Sequence, residues 1–69
     1  MYDGVGKKIR AYRKLKHLTQ KELANYLEVP IGYLGGIERG TKQADLAFIQ
    51  KVSEFLQVSV DDLMAESSY

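Results

Sequence analysis

Three observations in the sequence predict an all-α domain of five short helices. Apolar residues recur at three- and four-residue spacings along most of the chain, the period of a one-sided helix. Capping residues, Thr19, Asp45 and Ser59, stand immediately before such stretches. No segment alternates apolar and polar residues at the two-residue period of a half-buried strand. There is no internal repeat, low-complexity stretch or separating linker, so residues 1–69 read as one domain with a core over about 5–65. The tail 66–69, Glu-Ser-Ser-Tyr, is expected to fray.

In the first helix, over about residues 5–16, Val5, Ile9, Tyr12 and Leu15 form the apolar stripe and basic residues occupy the other faces. Thr19-Gln20-Lys21-Glu22 has the form of a capping box, with Thr19 as N-cap and Glu22 reaching back to it. Leu18 and Leu23 sit at the positions of a hydrophobic staple. The second helix therefore runs over 20–27 and buries Leu23, Ala24 and Leu27.

Pro30 suits the first turn of a third helix over about 30–37, where its missing N–H is not needed. Leu34 and Ile37 give that helix an apolar contact, while Gly32, Gly35 and Gly36 each cost it about 1 kcal/mol relative to alanine. Packing must hold it. Residues 39–43, Arg-Gly-Thr-Lys-Gln, read as a polar loop in which Gly40 stops the helix. Asp45 caps a fourth helix carrying Leu46, Ile49, Val52 and Leu56 beside Phe48 and Phe55. Ser59 caps a short fifth helix ending near Ala65, with Val60 and Leu63 facing inward.

Composition excludes several functions. No apolar run approaches the roughly 20 residues of a membrane span, and the N-terminus lacks a secretory pattern. The absence of cysteine removes disulfides, thiolate nucleophiles and Cys-based zinc sites. His17, the single histidine, has no metal-binding partners near it, and no metal or other cofactor is expected. No acid–base pair or activated nucleophile marks an enzyme. Ten Lys and Arg stand against nine Asp and Glu, a formal net charge of +1 that by itself argues against nucleic acid.

The distribution of that charge argues differently. Residues 1–21 carry a net +6, from Lys7, Lys8, Arg10, Arg13, Lys14, Lys16 and Lys21 against Asp3. Residues 22–43 carry −1 and residues 44–69 carry −4. One end is basic and the other acidic, consistent either with an anionic partner for the first half or with a solvated helix face.

The second and third helices have the spacing of a DNA-binding helix-turn-helix, with small Ala24 at the close crossing and Leu34 and Ile37 packing back. Three runs strengthen the pattern: Leu18 to Ala24 (LTQKELA), Gly36 to Gly40 (GIERG) within Tyr33–Gly40, and Val58 to Leu63 (VSVDDL). Together with Ile9, Arg10 and Arg13 they resemble the phage-repressor, Cro-like (Xre) family over about residues 5–64. The resemblance implies a lambda-repressor-like fold, double-stranded DNA as partner, and a homodimer acting on a two-fold operator as a transcriptional repressor in a bacterial or phage cytoplasm, at the nucleoid.

The resemblance also implies residue roles. Ile31, Gly32, Tyr33 and Gly36 occupy base-facing positions. Arg10, Gln20, Arg39, Lys42 and Gln43 match phosphate contacts, and Gln20 also supports the third helix. Arg13 and Glu38 match a partly buried ion pair between the first and third helices. Phe55, Val58, Leu63 and Met64 are either core or dimer surface.

Departures from the family pattern carry weight. Ile31, Gly32 and Gly36 have no side-chain donor or acceptor, so Tyr33 is the single polar group among the base-facing positions. Glu28 and His17 stand where glycine is usual, and Ala44 replaces a frequent proline. The apolar, donor-poor surface leaves a second function open: a protein-binding adaptor or antirepressor that retains the fold, with a protein rather than DNA as partner. Tyr33 is either a core-edge aromatic or a DNA contact, and Tyr2, Tyr12 and Tyr26 are expected to pack.

Overall fold

Five helices follow one another in the predicted order, and the computed structural model describes residues 4–64 of the chain. They are α1 (Val5–Leu15), α2 (Gln20–Leu27), α3 (Ile31–Arg39), α4 (Leu46–Leu56) and α5 (Val60–Met64). No strand occurs among the described residues. Tyr2, Ala65 and the tail 66–69, for which packing, a helix end and fraying are expected, lie outside them.

Each start signal works as its chemistry dictates. The Thr19 hydroxyl accepts from the Glu22 N–H at 3.0 Å, and the Thr19 N–H donates to the Glu22 carboxylate at 2.8 Å. Two of the backbone donors that a helix leaves unpaired at its start are thus satisfied. Asp45 accepts from the Phe48 N–H at 2.8 Å, and Ser59 from the Asp62 N–H at 2.9 Å. Pro30 stands one residue outside the helix as the N-cap of α3 (φ −61°, ψ 146°), not within its first turn. At the other end, α3 continues through Arg39 and closes on Gly40 at φ 85°.

Val5, Ile9, Leu23, Ala24, Leu27, Leu34, Ile37, Phe48, Ile49, Val52, Leu56 and Leu63 form one core shared by all five helices. Two expected members of the apolar stripes are outside it. Leu15 is 71% exposed and Leu46 45% exposed. Leu15 and Arg13 flank the Val5–Ile9–Tyr12 stripe on opposite sides, and α1 turns its Arg13 side inward because Glu38 waits there. Leu63, expected as core or dimer surface, is wholly buried and offers nothing to a partner; Val58, Val60 and Met64 pack half-buried against the core. Tyr12 and Leu18 do the same.

The α1–α3 crossing depends on a residue that no apolar pattern marks. A Cβ on Gly6 would lie 1.8 Å from the carbonyl oxygen of Ile37 and 3.0 Å from the Cα of Glu38, so only glycine lets the two backbones meet. Elsewhere the chain tolerates strain. His17, Glu28 and Gln57 close α1, α2 and α4 in the left-handed region at φ 60°, 61° and 59°. Such a conformation costs a non-glycine residue about 1–2 kcal/mol. Compensating contacts surround two of these closures: Lys51 donates to the Leu27 carbonyl at the end of α2 at 3.0 Å, and the Ser53 hydroxyl donates to the Val58 carbonyl beyond α4.

Gly6→Ala should destabilise the domain by about 3 kcal/mol or more, since backbone cannot yield as a side chain would. Gln57→Gly should have the opposite sign, stabilising by about 1 kcal/mol and raising the melting temperature by about 4–8 °C. Thermal melts of the two variants beside the parent chain check both.

Candidate nucleic-acid interface

One polar cluster fixes the outward helix of the pair. Arg13 and Glu38 are 7% and 5% exposed, and they meet through two parallel bonds: Nε to Oε2 at 2.8 Å and Nη2 to Oε1 at 3.0 Å. The remaining arginine nitrogen, Nη1, donates to the Leu18 carbonyl at 2.8 Å. Gln20, at the start of α2, donates from Nε2 to Glu38 Oε1 at 3.0 Å. The cluster therefore ties α1, the α1–α2 connection and the start of α2 to the last turn of α3. No buried side-chain nitrogen or oxygen among the described residues lacks a partner, the condition under which a buried ion pair is tolerable.

The α2–α3 turn is three residues, Glu28, Val29 and Pro30. The Val29 N–H donates to Ala24 O at 3.0 Å and the Glu28 N–H to Asn25 O at 3.1 Å, closing α2 before the chain re-enters a helix. With Leu34, Ile37 and Glu38 buried, α3 presents Ile31, Gly32 and Arg39 outward. Ile31 is 49% exposed, and a Cβ on Gly32 would meet nothing within 4 Å.

The other two glycines of α3 are not open. Gly36, expected to face bases, is buried: the Cδ and Cγ of Lys42 lie 3.0 Å from where its Cβ would sit. Its carbonyl accepts from the Thr41 N–H at 2.9 Å, the Lys42 N–H at 3.2 Å and the Thr41 hydroxyl at 3.1 Å, which folds the loop back onto the helix. Gly35 is covered in the same manner by Arg39, whose Nη1 lies 3.0 Å from its virtual Cβ; the Gln20 amide atoms lie at 3.5 and 3.7 Å. Gln20, Gly35 and Arg39 thus adjoin on one flank of α3, and Gly36, Thr41 and Lys42 on the other.

The other expected site residues differ in exposure. Tyr33 is half-buried, its ring set edge-on to Phe48 at 5.4 Å between centroids, so the ring belongs to the core edge. Arg10 and Gln43 are exposed, as are Thr41 and Lys42. Phe55 is 37% exposed and stacks on Tyr26, itself 61% exposed, with 4.4 Å between ring centroids. Within the Tyr33–Gly40 run, the sequence gives Gly35 no role beyond weakening the helix. Its signal is the four-residue spacing to Arg39, because helical side chains lean toward the N-terminus and cover the residue one turn before. Among the described residues no cluster of three or more metal-ligating side chains occurs, and no helix is long and apolar enough to cross a membrane.

Residues 9–63 match the family model described as helix-turn-helix. The chain is 43% identical over 58 residues to an HTH-type transcriptional regulator of Bacillus subtilis, YazB, covering 84% of each protein. It is 40% identical over 63 residues to the HTH-type transcriptional regulator SinR of Bacillus subtilis, spanning 90% of this chain and 57% of SinR. Of solved structures, the N-terminal DNA-binding domain of Bacillus subtilis SinR superposes with a TM-score of 0.86 at 37% identity, covering 96% of this chain and 97% of that one. SinR in complex with DNA superposes with a TM-score of 0.80 at 40% identity, covering 86% of this chain and 95% of that one.

Glu38→Ala strands a buried guanidinium and should cost about 3–5 kcal/mol, most of the stability of a domain this small. The double variant Arg13→Met with Glu38→Leu should recover most of that loss, since no charge is then left without a partner. Denaturant unfolding of the single and double variants measures the difference, and equal losses in both would refute the account.

Proposed function

This chain belongs to the helix-turn-helix family of transcriptional regulators, and from that premise we propose that it is a sequence-specific DNA-binding repressor that sets α3 into the major groove of a two-fold operator. The observation that carries the reading is the outward face of α3. Its first turn is open at Ile31 and Gly32, its flanks hold Gln20, Arg39 and Lys42, and the buried Arg13–Glu38 pair fixes its angle. The likeness to SinR solved with DNA supports it. Arg10, Gln20, Lys42 and Gln43 meet phosphates and set the register, while Ile31 meets a thymine methyl and Gly32 admits the helix close to the bases. Tyr33 contributes at most its polar edge, since its ring is packed on Phe48.

With few polar readers at the first turn, the shape of the DNA carries part of the selectivity. The net charge of +1 keeps non-specific affinity modest, so two linked copies supply much of the binding. Phe55, Val58 and Met64 at the α4–α5 end are the surface for that homodimer. The protein works in the cytoplasm, by binding and without catalysis. A second reading, a protein-binding adaptor or antirepressor, draws support from the apolar Ile31 and Gly32 surface.

Selection of bound duplexes from a random pool at two salt concentrations tests the reading. A palindromic motif is expected; no binding even at low salt sinks it and favours the adaptor. Lys42→Gln should weaken binding to all duplexes alike and lower the slope of log affinity against log salt by about 0.9. An unchanged slope would remove Lys42 from the phosphate clamp.

A further inference from the structure

We infer that Arg39 is a base-reading, specificity-determining residue for guanine, and that Gly35 is the notch that aims it. The inference rests on the DNA-binding reading above and departs from the family resemblance at one residue, since that resemblance implies a phosphate contact for Arg39.

Arg39 ends α3, a position from which a helix docked by its N-terminal half would not ordinarily reach base edges. Two facts change its reach. Side chains on a helix lean toward the N-terminus, so residue 39 extends over residue 35. Residue 35 is glycine, and Nη1 of Arg39 lies 3.0 Å from the place where a Cβ would be. The guanidinium consequently lies low on the helix surface, one turn nearer the open end, beside the Gln20 amide.

Gln20 is committed to Glu38 through its Nε2, and Glu38 is bound by both Arg13 and Gln20. The flank beside the guanidinium is therefore stiff, and it carries no carboxylate free to capture Arg39, which has no ion pair among the described residues. The Arg39 residue is exposed, as a group presented to a partner must be. A planar guanidinium held against a side-chain-free stretch of helix can give its two parallel donors to O6 and N7 of guanine. The same low position explains how a helix whose first turn offers Ile31 and Gly32 can still discriminate bases by hydrogen bonding.

The test is duplex selection with three proteins: the parent chain, Arg39→Gln and Gly35→Ala. The parent should enrich a motif with guanine at one position in each half-site. Arg39→Gln should lose discrimination at that position by about 10- to 100-fold and keep the rest of the motif. Gly35→Ala should relax the same position while leaving the melting temperature no lower, because the atom its methyl group meets is the end of an exposed side chain. An Arg39→Gln protein that binds every duplex more weakly with an unaltered motif would make Arg39 a phosphate contact and overturn the inference. A Gly35→Ala protein with unrelaxed preference would overturn the notch. If the parent chain itself enriches nothing, the DNA-binding reading fails first, and the inference with it.

Discussion

The Arg13–Glu38 pair is the constraint on which the arrangement of α1, α2 and α3 depends. Moving two charges out of water is costly, and the mutual attraction of a buried pair repays this only when every remaining donor and acceptor finds a partner. Here they do, and the partners come from three different elements: Leu18 O from the connection after α1, Gln20 from the start of α2, and Glu38 from the last turn of α3. A rotation of α3 about its axis would break charge-assisted bonds, not merely slide apolar surfaces. That matters because α3 is intrinsically a poor helix, with three glycines in nine residues. Its orientation is imposed from the core side, by Leu34, Ile37 and Glu38.

Much of this was legible in the sequence because capping and periodicity are local. Thr19 to Glu22, Asp45, Ser59 and Gly40 each specify an end through groups within a few residues, and all four do so in the fold. Apolar spacing alone places Leu15 and Leu46 in the core, where they are not, because spacing states which residues share a stripe and not where the stripe is centred. In α1 the centre is set by an ion pair that spans 25 residues. Gly6 was invisible for the same reason: its importance lies in the approach of Ile37 and Glu38, a crossing between distant segments.

The site was partly legible. The ion pair and the role of Gln20 in supporting α3 follow from the motif register, whereas the burial of Gly36 follows from a loop that returns onto its own helix. The three glycines of α3 weaken the helix alike and have three different surroundings. Gly36 lies beneath the stem of Lys42, Gly35 beneath the guanidinium of Arg39, and Gly32 beneath nothing. Two of them remove bulk so that a cation can lie against the helix, which replaces short polar side chains with long ones delivered from the flanks. The ring of Tyr33, the single polar residue among the expected base-facing positions, rests half-buried on the core edge against Phe48.

The open surroundings of Gly32 give the domain a freedom that the covered Gly35 and Gly36 lack. No atom of the fold lies within 4 Å of a Cβ placed there, and the position takes no part in the ion-pair cluster or the core. A single codon change at this site would add a side chain of any length to the outward face without disturbing the architecture behind it. On the proposed docking of α3, operator preference would change in one mutational step, from a scaffold whose ability to fold is not at stake. Duplicated copies of such a gene can diverge in what they bind while remaining interchangeable in how they are built.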